Sequence, residues 1–211
     1  MHTIPKIIWQ THNYTYEDLP EHLKKSINTW KNLNPGWDHR YYSHIDREKY
    51  LKQYPDFYTR YINLDPITQA DIWRYLVTYE FGGVYSDMDS ICIKPLDYML
   101  DNIADNPNIV VIPLSQNGGH TNNANYAVEA KSPIMKDCLD MAYSSISATK
   151  LISVWECFVL SVYNGKDVSY DFSSALHSRD FHNIFPTFNV DYYGNSQPYT
   201  VFIESKNLSI L

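Results

Sequence analysis

Residues 70–89 read ADIWRYLVTYEFGGVYSDMD. Upstream, Asp65-Pro66 reads as an N-cap followed by proline at the first helical position. The helix then runs through ITQADIWRYLVTYEF and stops at Gly82, a residue suited to a helix end. The glycine pair Gly82-Gly83 allows a tight reversal into VYSDMDSICI, a strand or strand end that carries Asp87 and Asp89. Carboxylates two residues apart on a straight strand share one face. A turn at the strand end brings them together around one ligand.

Working outward, IPKIIWQT (4–11) is a short β-branched run and reads as a buried strand. EHLKKSINTWKNL (21–33) has Leu23, Ile27 and Trp30 at helical spacing and ends at Asn34-Pro35-Gly36. HRYYSH (39–44) is a second strand, and 46–62 reads as one or two short helices interrupted at Pro55. Strands are expected at IVVIPL (109–114), NANYAVEA (123–130), NIFPTFNV (183–190) and YTVFIE (199–204), and helices at 133–147 and 150–163. Strands alternating with helices predict an α/β fold with a mainly parallel sheet.

The 211 residues suffice for one domain, and 44% hydrophobic against 19% charged content describes a globular chain. A formal charge of −7 with no basic run argues against a nucleic-acid surface. A phosphate-bearing ligand is still compatible, because a divalent cation can supply positive charge locally. Three widely spaced cysteines without a CxxC pair point to a reducing compartment. The N-terminal apolar run is too short for a signal peptide, and IVVIPL is far short of a membrane span. The expectation is a soluble, cytoplasmic protein.

At the carboxyl end of a strand, where open α/β sheets bind ligands, an Asp-x-Asp pair suits Mg²⁺ or Mn²⁺. These cations take one or two carboxylates and complete their shell with phosphate and water oxygens. Asp71 and Arg74 lie three apart on one helical face. They read either as a surface ion pair or as a donor-sugar clamp, with Asp71 on hydroxyls and Arg74 on phosphate or sugar.

These residues resemble the sugar-binding region of family 32 glycosyltransferases, whose pattern is Ala-x-x-x-Arg-Tyr…Tyr-x-x-Gly-Gly-x-Tyr-x-Asp-x-Asp. IPKIIWQT, SINTWKNLNPGWDHRYYS and NYAVEAKSP are similar to three further blocks of that family, so the resemblance covers roughly 3–135. It implies a single GT-A domain, with a nucleotide-sugar half over about 1–115 and an acceptor half over about 116–211, either complete or cut from a longer protein. It also implies Mn²⁺ or Mg²⁺, a nucleotide-sugar donor, a glycan or glycoprotein acceptor and retention of anomeric configuration. Carried over, Asp87 and Asp89 are the metal ligands, and with Asp71 and Arg74 they form the catalytic set. Ile8, Trp9, Gln10 and Thr11 line the base, with Trp9 either stacking on uracil or filling the core. Tyr75, Gly83, Tyr85, Met88 and Asn125 complete the donor site. Stacking by Trp9 favours a UDP-sugar, such as UDP-glucose.

The chain departs from the family in two places. ISVWECFVL stands where a Gly-Pro is usual, and the C-terminal YTVFIESKNLSI lacks the usual histidine. His177, His182 and Glu204 are therefore the candidates for a third metal ligand, and Glu156 is an acid of interest in an apolar helix. Two alternatives accompany this reading. One is a nucleotide-sugar-binding domain without turnover. The other is a haloacid-dehalogenase-type phosphatase, disfavoured because its acids belong on the first strand. A role in capsular or viral surface-glycan synthesis rests on analogy.

Overall fold

The computed structural model describes residues 4–88, 90–92, 95–97, 109–111, 125–147, 190–192, 195–199 and 203–205. Strand β1 (Ile7–Thr11) is followed by α1 (Glu21–Leu33), β2 (Asp38–Tyr42), α2 (His44–Leu51), α3 (Pro55–Tyr61) and α4 (Pro66–Phe81). Next come β3 (Gly83–Ser86), β4 (Ser90–Cys92), β5 (Ile109–Val111), β6 (Asn125–Val128) and α5 (Pro133–Ser147). The short strands β7 (Val190–Tyr192), β8 (Asn195–Tyr199) and β9 (Ile203–Ser205) complete the described elements.

Five strands form one sheet in the order β2-β1-β3-β6-β5. β1 runs parallel to β2 and to β3, and β6 is antiparallel to both β3 and β5. The expected mainly parallel sheet is thus present, with one reversed strand. Alternation along β2 sends neighbouring rings to opposite faces. Tyr41 joins the cluster of Leu19, Leu23, Ile27 and Met88 beneath α1, and Tyr42 joins the larger core around α4.

Local chemistry sets the element boundaries. The Asp65 carboxylate accepts from the N–H groups of Ile67 and Thr68, and Pro66 opens α4. Ser43, expected within a strand, instead caps α2, because its hydroxyl and Asp46 form a reciprocal capping box. Pro55 divides the 46–62 segment by opening α3. α4 packs against α2 and α5, with Ile72, Trp73, Tyr75, Val77 and Thr78 all buried.

The glycine pair does what its position requires. Gly82 and Gly83 have φ of +66° and +105°. A Cβ on Gly82 would stand 2.6 Å from the Ala130 nitrogen, and one on Gly83 would stand 2.6 Å from the Ile7 carbonyl oxygen. No side chain fits in either place, so α4 can reverse directly into the central strand β3.

The boundary expected near residue 115 falls in 112–124, and the 150–163 helix, Asp89, Glu156, His177 and His182 likewise lie outside the described residues. Most of NIFPTFNV does as well, its last residue opening β7. Glu204 lies on β9 opposite Ile91, and Ser205 lies opposite Ser90. The C-terminal strand therefore pairs beside the end of the acidic turn.

Candidate donor site

β3 ends at Ser86, and the chain turns at once. The Ser90 N–H donates to the Asp87 carbonyl at 3.1 Å, closing a turn over 87–90. The turn follows directly on the end of β3. Met88, between the two acids, is buried against the α1 cluster and anchors the turn. Asp87 points the other way, with 33% of its side chain exposed.

Arg74 joins α4 to this turn. Its Nη2 lies 2.9 Å from Asp71 Oδ1, and its Nη1 lies 3.1 Å from Asp87 Oδ1. Its guanidinium stacks over the Tyr85 ring, 4.4 Å from the centroid. Burial opposes the charge on Arg74, but Asp87, Tyr85 and Asp71 more than offset it, so the group is held charged. The Tyr85 hydroxyl donates to Asp87 Oδ1 at 2.7 Å. Burial first, then neighbouring negative charge, drives the Tyr85 phenol well above its ordinary range, so it remains a donor. Asp87 Oδ1 thus carries two donors, and Oδ2 has no hydrogen-bond partner among the described residues.

Three of the four residues assigned to catalysis, Asp71, Arg74 and Asp87, therefore meet in space. Asp71 and Arg74 are not the surface ion pair that i,i+3 spacing also allowed, since their side chains are only 12% and 7% exposed. Many of the residues expected to touch the donor are enclosed instead. Ile8, Trp9, Gln10, Tyr75, Tyr85 and Asn125 are each at most 1% exposed, and Thr11 and Met88 are also buried. Their side chains are enclosed within the fold.

Trp9 is the clearest correction. Its indole N–H donates to the Gly82 carbonyl at 2.8 Å. Trp73 meets it edge-on, Tyr42 and Phe81 flank it, and the Arg40 guanidinium lies 4.9 Å from its ring centroid. No face is left for uracil. A central strand is covered on both sides, so Trp9 is a core ring that fastens β1 to the α4–β3 reversal. Gln10 is likewise internal, with its carboxamide oxygen 2.8 Å from His39 Nε2.

Two contributors carried no clear sequence signal. Arg47 of α2 is fully buried and donates to Thr11 Oγ1, the His12 carbonyl and Asn13 Oδ1 at 2.5, 3.0 and 2.9 Å. It thereby fixes the loop leaving the carboxyl end of β1. The second is the bracing role of Asn125, whose carboxamide reaches both Ser86 and Ser90.

A divalent cation fits the described part of the site. Mg²⁺ and Mn²⁺ need hard oxygens from few side chains, and Asp87 offers an oriented, partly exposed carboxylate with one unengaged oxygen. Among the described residues no group of three or more His, Cys, Asp or Glu forms an all-protein cage. The remaining positions would fall to Asp89, phosphate and water.

Residues 20–109 match the family model described as a glycosyltransferase sugar-binding region containing DXD motif. That stretch is similar to the sugar-binding region of DXD-motif glycosyltransferases. The DXD-motif chain is 40% identical over 101 residues to the mannosyl phosphorylinositol ceramide synthase SUR1 of Saccharomyces cerevisiae, covering 46% of this chain and 25% of that one. It is 35% identical over 107 residues to the initiation-specific alpha-1,6-mannosyltransferase of Candida albicans, covering 46% and 27%. It spans about a quarter of the length of these curated relatives. Among solved structures, the PaToxG glycosyltransferase aligns with a TM-score of 0.51 at 21% identity, over 79% of this chain and 73% of that one. That likeness is one of fold, and the expected GT-A α/β architecture is met. The match favours a glycosyltransferase over the phosphatase alternative.

Proposed function

We propose that this DXD-motif chain binds a nucleotide-sugar with a divalent cation at the Asp87 turn and transfers the sugar to a glycan or glycoprotein hydroxyl. The observation that carries the reading is Asp87 itself. It is held through Oδ1 by Tyr85 and Arg74, its Oδ2 is open, and it lies at the end of a central strand of a GT-A sheet.

The chain's own residues supply three things. Arg74 is a charge fixed before the donor arrives, so no reorganisation is needed when negative charge grows on the leaving diphosphate. Asp71, held by Arg74, is the acid placed to accept sugar hydroxyls. Asp87 and Asp89 are the protein ligands of the cation. When bound, that cation would supply positive charge that stabilises the departing nucleoside diphosphate. In the transfer, the bond from the anomeric carbon to the diphosphate oxygen breaks and the acceptor oxygen bonds to that carbon. The hydroxyl proton passes to the leaving phosphate or to water. Retention of configuration belongs to this reading, and proton NMR of the product checks it.

The donor preference changes. Burial of Trp9 removes the argument for UDP, and the mannosyl names of both relatives favour a mannosyl donor. A cytoplasmic enzyme of surface-glycan synthesis is the cellular setting we propose; among the described residues no helix is long and apolar enough to cross a membrane.

Calorimetric titration with GDP-mannose, UDP-glucose, UDP-galactose, GDP and UDP, each with Mn²⁺ and with EDTA, tests the proposal. Nucleotide binding that needs Mn²⁺ and disappears in Asp87→Ala and Asp89→Ala supports it and identifies the base. Absence of nucleotide binding under every condition overturns it. Binding without any loss of donor in solution favours the binding-only alternative.

A further inference from the structure

Ser86, Ser90 and Asn125 have no solvent exposure, and together they bracket the acidic turn. Asn125 sits on β6 directly opposite Ser86 in antiparallel register, so the strand ladder fixes its backbone. Its carboxamide oxygen accepts from the Ser86 hydroxyl at 2.7 Å. Its nitrogen donates to the Ser90 hydroxyl at 3.1 Å. One rigid group therefore ties the residue before Asp87 to the residue closing the turn. The far limb is gripped separately, because the Ser90 carbonyl accepts from Ser26 Oγ at 2.7 Å and from Trp30 Nε1 at 2.9 Å, both on α1.

We propose that Asn125 is a positioning residue, whose buried carboxamide closes the two ends of the 87–90 turn and so sets where Asp87 presents its carboxylate. The inference rests on the reading that this turn holds a divalent cation. The chemistry explains the residue type. A carboxamide offers an acceptor and a donor on opposite sides, and a serine hydroxyl can match either. Aspartate has the same shape but would bury a second negative charge beside Asp87. Leucine would remove the one group that bonds to both hydroxyls. Glutamine is one methylene too long for a group fixed on the adjacent strand. Without the clasp, the turn keeps its attachment to α1 and its backbone ladder, but the two limbs can shift relative to one another. A ligand displaced in this way remains exposed and remains acidic, yet no longer meets a cation at the right distance.

The test is Mn²⁺ binding to the full chain, read by electron paramagnetic resonance from the free-ion signal and from the line shape of the bound ion. It is run on wild type, Asp87→Ala, Asn125→Ala, Ser86→Ala, Ser90→Ala and the Asn125→Ala/Ser90→Ala pair, with and without GDP or UDP. Groups that orient metal ligands contribute roughly tenfold or more to affinity. Asn125→Ala is therefore expected to weaken Mn²⁺ binding by about tenfold and to broaden the bound signal, while thermal melting still reports a folded protein. The pair is expected to bind no more weakly than Asn125→Ala alone, since both changes open the same clasp. Wild-type affinity and line shape in a folded Asn125→Ala overturn the inference and leave the donor-site reading standing. If Asn125→Ala does not fold, wild-type affinity in both Ser86→Ala and Ser90→Ala overturns it equally. Failure of wild type to bind Mn²⁺ under any of these conditions overturns both readings.

Discussion

Two buried arginines behave in opposite ways. Arg74 bridges Asp71 and Asp87 and stacks on Tyr85, at the inner edge of a partly exposed turn. Arg47 is completely enclosed, and its hydrogen bonds go to the neutral oxygens of Thr11, His12 and Asn13. Among the described residues it takes part in no ion pair. Arg74 is thus a charge paired with two acids beside the turn, and Arg47 is a charge used to fasten a loop. Residue type alone does not separate these uses; the neighbours do.

The largest expected effect breaks the first arrangement. Arg74→Lys keeps the charge but loses the planar fork that spans two carboxylates. Donor turnover per folded molecule is expected to fall by about 10²–10³, the usual cost of removing one preorganised group. Steady-state assay of nucleoside diphosphate release checks this, and a fall below about threefold would return Asp71 and Arg74 to a structural role.

Arg47→Met should act on stability instead. It strands the His12 carbonyl and Asn13 Oδ1, at a cost of about 2–3 kcal/mol in urea unfolding. Turnover per folded molecule should stay within about threefold, because the guanidinium has no surface to offer a ligand. Loss of turnover at unchanged stability would remove the contrast with Arg74.

His39 sharpens the comparison on the α1 face. Burial first, and Lys31 second, lower its pKa to about 4. The unfolded chain therefore takes up this proton near pH 6.5 while the folded chain resists until about 4. The stabilisation is fully present above pH 6.5 and is lost as the pH falls toward 4, by about 3 kcal/mol. Urea midpoints measured from pH 7 to pH 4 should show the fall, and His39→Gln should flatten it.

The smallest effect concerns Trp9. Trp9→Phe removes the bond to the Gly82 carbonyl and some core volume, and should cost about 1–2 kcal/mol. Nucleotide affinity by calorimetry should not change. A tenfold loss of affinity for UDP at unchanged stability would restore the stacking role that the sequence allowed.

Much of the scaffold was legible because its signals are local. Asp65-Pro66 and Gly82 bound α4 correctly, and Pro55 marked the break between α2 and α3. Ser43-x-x-Asp46 was a misread capping box, since a short apolar-aromatic run also looks like a strand. The site was legible in part. The spacing of Asp71 and Arg74 placed both on one helical face, but it could not say that Asp87 would meet the same guanidinium. Along Ile8–Thr11, the residues assigned to the base have buried side chains. A central strand has no solvent face, and a sequence motif does not distinguish a lining residue from the one that supports it.

By itself, then, the sequence determined the helix ends, the glycine reversal and the acidic pair at a strand end, and it pointed to the family. These depend on backbone geometry and on neighbours within a turn or two. Only the tertiary structure decided that Asp87 is held through one oxygen and open at the other, that Trp9 is core, and that Asn125 lies against Ser86 and Ser90. Those outcomes depend on strand register and on burial between segments far apart in the chain, where packing chooses which polar groups are enclosed and which remain available to a ligand.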